Sequence, residues 1–271
     1  MKYLCTDSVK HLHIPKVKVY KSIFPEGELY LQIRENLKGK PVTIISNIAP
    51  TNILELLFTV DAAKRSGAKI KRIIIPFLSF ARQDKVYHDG EAVAGAVICS
   101  ILKNLHIPMT IINIHSERLK KYLTFKDASI LPLLAKRLPK KDFIVVSPDK
   151  GGAKRAEAIA HFLKAPMLVM QKTRTRGGIS IQFSADLRDR DVLIVEDMIS
   201  TGTTLVKAVQ LLKKAGAREI YCISAHGLFI GNARARLGKA GIKRIIVSNT
   251  FPVKPSKQIQ VVSVEPLLRK S

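Results

Sequence analysis

The sequence predicts an α/β fold in about two units, each a mainly parallel sheet flanked by helices. Three observations lead there. Short apolar, β-branched runs alternate with amphipathic stretches, the pattern of strand–helix units in a largely parallel sheet. Most of these runs are apolar almost throughout, as strands buried on both faces are. They are too many for one sheet of usual size, and 271 residues suit about two domains at roughly 150 residues each.

Taken in order, strands are predicted at Val42–Ser46 and Arg72–Pro76. The helix between them, Thr51–Ser66, puts Leu54, Leu57, Phe58 and Ala62 on one face. A helix over Val93–Leu105, with Val97, Ile101 and Leu105, leads to a strand at Met109–Ile114. The Pro-containing stretch Lys126–Lys141 suits a domain boundary. Strands then follow at Phe143–Ser147, Met167–Met170, Val192–Val195, Glu219–Ser224 and Arg244–Val247, with helices at Lys154–Leu163 and Thr203–Ala215. Gly67 and Gly216 stop the helices they follow. Ile259–Leu268 reads as a strand running into a short helix. The two halves read alike without a residue-level repeat.

Composition excludes several classes. An apolar fraction of 46% with 25% charged residues is that of a globular chain rather than a disordered one. No apolar run approaches the ~18 residues that would span a bilayer. Asp7, Lys10, His11 and His13 interrupt the start where an export signal would be apolar. Cys5, Cys99 and Cys222 are far apart, with no CxxC pair, as expected of a reduced cytoplasmic protein. Lys and Arg number 46 against 21 Asp and Glu, a net charge of +25. Such a field attracts polyanions, phosphorylated metabolites included. The basic residues are scattered rather than gathered into one arm or stripe, so neither nucleic acid nor a membrane is an expected partner.

The strongest motif is Val192–Leu205, VLIVEDMISTGTTL. An apolar strand runs into Glu196 and Asp197, a loop at Met198–Ile199 follows, and then Ser200-Thr201-Gly202-Thr203-Thr204 opens an amphipathic helix. Open α/β sheets bind ligands at the carboxyl ends of their strands. Gly202 allows close backbone approach to an anion, the four hydroxyls add donors, and the helix start offers free N–H groups. The absence of Gly-Lys-Ser/Thr excludes a nucleotide P-loop. Paired acids beside a phosphate cup suit a sugar phosphate, with carboxylates accepting from vicinal hydroxyls.

This stretch resembles the PRPP-binding motif of the type I phosphoribosyltransferase fold. Five further segments extend the likeness: Phe24–Leu37 (FPEGELYLQIRENL), Ile75–Lys85 (IPFLSFARQDK), Ile112–Leu123 (INIHSERLKKYL), Val146–Ala156 (VSPDKGGAKRA) and Ile223–Asn232 (ISAHGLFIGN). Together, in this order, they resemble the ribose-phosphate diphosphokinase (PRPP synthetase) family over nearly the whole chain. The resemblance implies two phosphoribosyltransferase-like domains. Residues 1–130 would form the ATP side and 131–255 the ribose 5-phosphate side, with 256–271 packing back on the first domain. It implies transfer of the diphosphoryl group of Mg-ATP to the 1-hydroxyl of ribose 5-phosphate, giving PRPP and AMP.

The resemblance also implies roles. Arg82 and Gln83 would bind ATP, with Phe24, Glu26 and Glu28 reaching a neighbouring subunit's adenine pocket, so the active form would be a homo-oligomer. His115 and Asp149 would hold Mg²⁺. Lys172 and Arg174, at the root of a basic flap, would be catalytic through charge on the transferred phosphates. Glu196 and Asp197 would bind the ribose hydroxyls, and Ser200, Thr201, Gly202, Thr203 and Thr204 the 5-phosphate. Glu26, Asn113 and Ser200 stand where the family more often has Asp. Three other readings compete. A PRPP-consuming phosphoribosyltransferase would need only one domain. A non-catalytic regulatory homologue would tend to lose flap and metal residues that this chain keeps. Nucleic-acid binding is a conceivable side activity of the charge.

Overall fold

The structure is a computed structural model. It describes residues 2–50, 52–175 and 178–270, and of residues 172–175, 178–180 and 270 the backbone alone. The chain divides into two units, Met1–Ala128 with Val264–Ser271, and Ser129–Ser263.

In the first unit, β1 (Lys2–Cys5) is followed by the strands β2 (Val19–Ile23) and β3 (Leu29–Ile33), then by β4 (Pro41–Ile45), α1 (Ile53–Arg65), β5 (Lys69–Ile75), α2 (Ala94–Lys103), β6 (Met109–Ile112) and β7 (Lys126–Ala128). β2 and β3 form an antiparallel hairpin. The remaining strands make a parallel sheet in the order β1-β4-β5-β6-β7. Its apolar runs are buried as the sequence predicts: Ile44, Ile45, Ile73, Ile74, Ile75, Ile111 and Ile112 are all fully enclosed. Leu56, Val60 and Ala63 recur at helical spacing on the buried face of α1.

The second unit runs α3 (Leu131–Ala135), β8 (Phe143–Ser147), α4 (Ala153–Leu163), β9 (Met167–Val169), β10 (Gln171–Thr175), β11 (Gly178–Gln182), β12 (Asp191–Ile199), α5 (Thr203–Lys214), β13 (Ile220–Gly227), α6 (Ala233–Ala240), β14 (Arg244–Ser248) and β15 (Ile259–Val262). β10 and β11 pair as an antiparallel ribbon. The others form a parallel six-stranded sheet in the order β15-β14-β13-β12-β8-β9. From β8 the chain builds outward to β9, then returns on the other side through β12 to β15. The order therefore reverses between β8 and β12, and such a switch point is where an open sheet gapes at its carboxyl edge. The first sheet has no such reversal.

Two expectations are corrected. The strand read as Val192–Val195 continues to Ile199, so the acids and the expected Met198–Ile199 loop belong to β12. Neighbouring β13 extends that far as well, pairing Glu196 with Ser224, Met198 with His226 and Ile199 with Gly227, which lets polar residues join the ladder. The terminal segment 256–271 is not one piece. β15 pairs with β14 in the second sheet, and only α7 (Glu265–Lys270) belongs with the first unit, where Glu265 accepts from the His13 backbone N–H at 2.6 Å. No helix among the described residues is long and apolar enough to cross a membrane.

Candidate active site

The switch point of the second sheet gathers the motif residues. β8 ends at Ser147 and the chain turns through Asp149, whose Oδ1 accepts from the Gly152 N–H at 2.9 Å. Ser147 Oγ donates to the Asp149 carbonyl at 2.7 Å and closes the turn. A side chain at Gly152 would stand 2.8 Å from Ser147 Oγ, so this turn requires glycine. α4 begins immediately after it and carries Arg155, whose guanidinium lies 3.8 Å from Asp197.

Across the switch point, β12 delivers Glu196 and Asp197. Asp197 is 5% exposed, and its N–H donates to Glu196 Oε1 at 3.0 Å. Burial, followed by the negative charges of Asp197 and Asp149, pushes the Glu196 carboxyl well above the usual carboxylate range. The acids of both strand ends therefore share one electrostatic field. Such a site favours donors, whether ligand hydroxyls or a cation.

The cup follows. Gly202 precedes α5 at φ +74° and lies against Leu237 of α6, 3.2 Å from where a Cβ would sit. Thr201 and Thr203 hydroxyls meet at 3.2 Å. The segment after β13 braces the loop from below: the Leu228 and Phe229 N–H groups donate to the Ile199 carbonyl at 2.9 and 3.1 Å, and Ile230 N–H to the Ser200 carbonyl at 3.0 Å. Arg236 of α6 donates to Thr203 Oγ1 at 3.4 Å. The sequence did not reveal α6, because its apolar stripe, Ala233, Leu237 and Ala240, is short and built mostly of alanine. Arg236 was missed with it.

The first unit holds the other expected residues. Arg82 and Gln83 are exposed on the turn after β5, fixed by the Gln83 N–H donating to the Phe80 carbonyl at 2.8 Å. Ser116 Oγ donates to Asp84 Oδ2 at 2.5 Å, tying that turn to the loop that carries His115. Phe24, Glu26 and Glu28 stand exposed on the hairpin turn between β2 and β3. Among the described residues none of the three hydrogen-bonds Arg82 or Gln83. Asn113 adopts a left-handed conformation, φ +48°, and its N–H donates to the Ala128 carbonyl. His115 belongs to the first unit and Asp149 to the second. The backbones of Lys172 and Arg174 lie on β10, opposite Ile181 and Ile179, but their side chains lie outside the described residues.

Comparison with known proteins agrees with this division. Residues 1–105 match the N-terminal domain of ribose phosphate pyrophosphokinase, and residues 128–260 the phosphoribosyl transferase domain. The ribose-phosphate pyrophosphokinase of Ralstonia nicotianae is 32% identical over 279 residues, covering 97% of this chain and 88% of the relative. That of Sulfurisphaera tokodaii is 32% identical over 274 residues, covering 96% and 94%. The crystal structure of phosphoribosylpyrophosphate synthetase from Mycobacterium smegmatis aligns over 100% of this chain and 96% of its own, with a TM-score of 0.86 and 27% identity. With both units matched and the acids and hydroxyl cup at the carboxyl edge of the second sheet, this chain belongs to the ribose-phosphate pyrophosphokinase family.

Proposed function

We propose that the chain transfers the diphosphoryl group of Mg-ATP to the 1-hydroxyl of ribose 5-phosphate, forming PRPP and AMP. The observation that carries this reading is the switch-point crevice, where Asp149, Glu196 and Asp197 face one another's charge beside the Ser200–Thr204 cup. The cup takes the 5-phosphate on Ser200, Thr201, Gly202, Thr203 and Thr204. Glu196 and Asp197 hold the ribose diol. Arg82 and Gln83 take ATP, completed by Phe24, Glu26 and Glu28 of a second copy, so the active form is a cytoplasmic homo-oligomer. Exposure of that hairpin turn, with Phe24 at 45%, supports its use by another chain.

The 1-hydroxyl oxygen bonds to the β-phosphorus. The bond from that phosphorus to the oxygen bridging the α-phosphate breaks, AMP leaves with that oxygen, and the hydroxyl proton passes to solvent. Lys172 and Arg174 bring positive charge to the transferred oxygens. Asp149 and His115 would hold Mg²⁺. Mg²⁺ favours carboxylate, water and phosphate oxygens, so the Asp149 carboxylate suits it. Bound there, it would supply charge neutralisation on the phosphates.

ATP labelled at the β-phosphorus tests the reaction. The label is expected in PRPP, with unlabelled AMP released. Label recovered in ADP would contradict diphosphoryl transfer.

A further inference from the structure

The cup has a cationic wall that its motif does not contain. α6 packs on the cup loop through Leu237, which fills the space beside Gly202. One residue earlier, Arg236 reaches Thr203 Oγ1 at 3.4 Å. Its neighbour Arg234 is committed elsewhere, donating to the Lys254 carbonyl at 2.7 Å and lying over the Phe229 ring at 5.0 Å. Among the described residues, Arg236 has the Thr203 hydroxyl as its one side-chain partner, and no acid pairs it. A guanidinium carries five donors and a full charge, so a single long bond to a neutral hydroxyl leaves most of that capacity unused.

The charge on the other side of the site gives this a purpose. The charges of Asp149 and Asp197 oppose the arrival of a phosphate. One counter-charge, Arg155, lies 3.8 Å from Asp197. A guanidinium at the cup would offset that field for an arriving dianion. We infer that Arg236 is a substrate-positioning residue, binding the phosphate of the sugar phosphate from the α6 side of the cup and selecting phosphorylated over unphosphorylated sugar. This rests on the function proposed above and adds a residue to it. The energy expected of an exposed charge-assisted hydrogen bond is at the low end of the range for charged pairs, which corresponds to roughly tenfold in affinity.

The test compares wild type with Arg236→Ala and Arg236→Lys in steady-state kinetics and in calorimetric binding of ribose 5-phosphate without ATP, with ribose as the unphosphorylated control. Arg236→Ala should raise KM and Kd for ribose 5-phosphate about tenfold, leaving kcat and KM for ATP within about twofold. Its melting temperature should match wild type, and Arg236→Lys should fall between. Binding should also lose part of its salt dependence. Unchanged ribose 5-phosphate binding in Arg236→Ala, or a loss that follows the melting temperature instead, overturns the inference. If wild type forms no PRPP, the proposed reaction falls, and the binding measurements alone then decide the role of Arg236.

Discussion

Asp191 opens β12 at the end opposite the site and shows how firmly that strand is anchored. It is 1% exposed and takes two bonds from Arg218, at 3.0 and 2.7 Å, with Lys141 at 3.1 Å. Lys141 also pairs with Glu219. The Arg218 guanidinium, above all, pushes the Asp191 carboxyl down to about 2 against the cost of burial. Because the folded value is depressed, its contribution is present above pH ~4 and lost as pH falls toward ~2. Asp191→Asn should therefore destabilise the protein by about 1.5–3 kcal/mol near neutral pH. In denaturant unfolding the gap to wild type should narrow below pH ~4. A gap constant with pH would contradict the ionic origin. At this scale the sequence was most informative where chemistry is local. Glu196, Asp197 and the hydroxyls of the cup could be read directly, because adjacent residues at a strand end share a site. The approach of Arg155 to Asp197 across the switch point was not legible, since it depends on which strands become neighbours.

Among elements, the buried strands and longer helices were legible because their apolar residues follow the periods of sheet and helix. The buried helix faces were not: Leu54, Phe58 and Val97 are exposed, while Leu56, Val60 and Ala63 of α1 and Cys99 and Leu102 of α2 are buried. β12 outran its apolar run because β13 supplied partners as far as Gly227, a tertiary effect. In the β2–β3 hairpin the alternation is blurred, because Tyr20 and Tyr30 stand exposed on the face that also carries Gln32. α3, five residues long, is too short for a period to show. The junction of β12, cup and α5 depends on one backbone conformation. Gly202→Ala would place a side chain at φ +74° and against Leu237, at a cost of about 1–2 kcal/mol. Scanning calorimetry should show the melting temperature lowered by a few degrees. KM for ribose 5-phosphate should rise while KM for ATP holds. An unchanged KM would mean that the cup tolerates the distortion and does not take the phosphate.

At the scale of the whole molecule, two α/β units share a sheet type but not a topology. The first sheet keeps one direction of strand order and the second reverses. The proposed sugar-phosphate site is at the reversal, where open α/β sheets commonly bind ligands. Two α/β units were legible from the alternating pattern; their different strand orders were not. The split of the terminal segment at Ser263 was not, because β15 and α7 are contiguous in sequence and part only through their separate packing. The oligomer proposed here would complete the nucleotide site with the hairpin turn of another chain. All of this converges on one reaction, which purified protein with ribose 5-phosphate, ATP and Mg²⁺ tests most directly. AMP and PRPP should appear in equal amounts, only when all three are present, and should be lost in Lys172→Ala. Ribose 5-phosphate binding with no AMP or PRPP formed, or consumption of added PRPP with a base, would contradict the account.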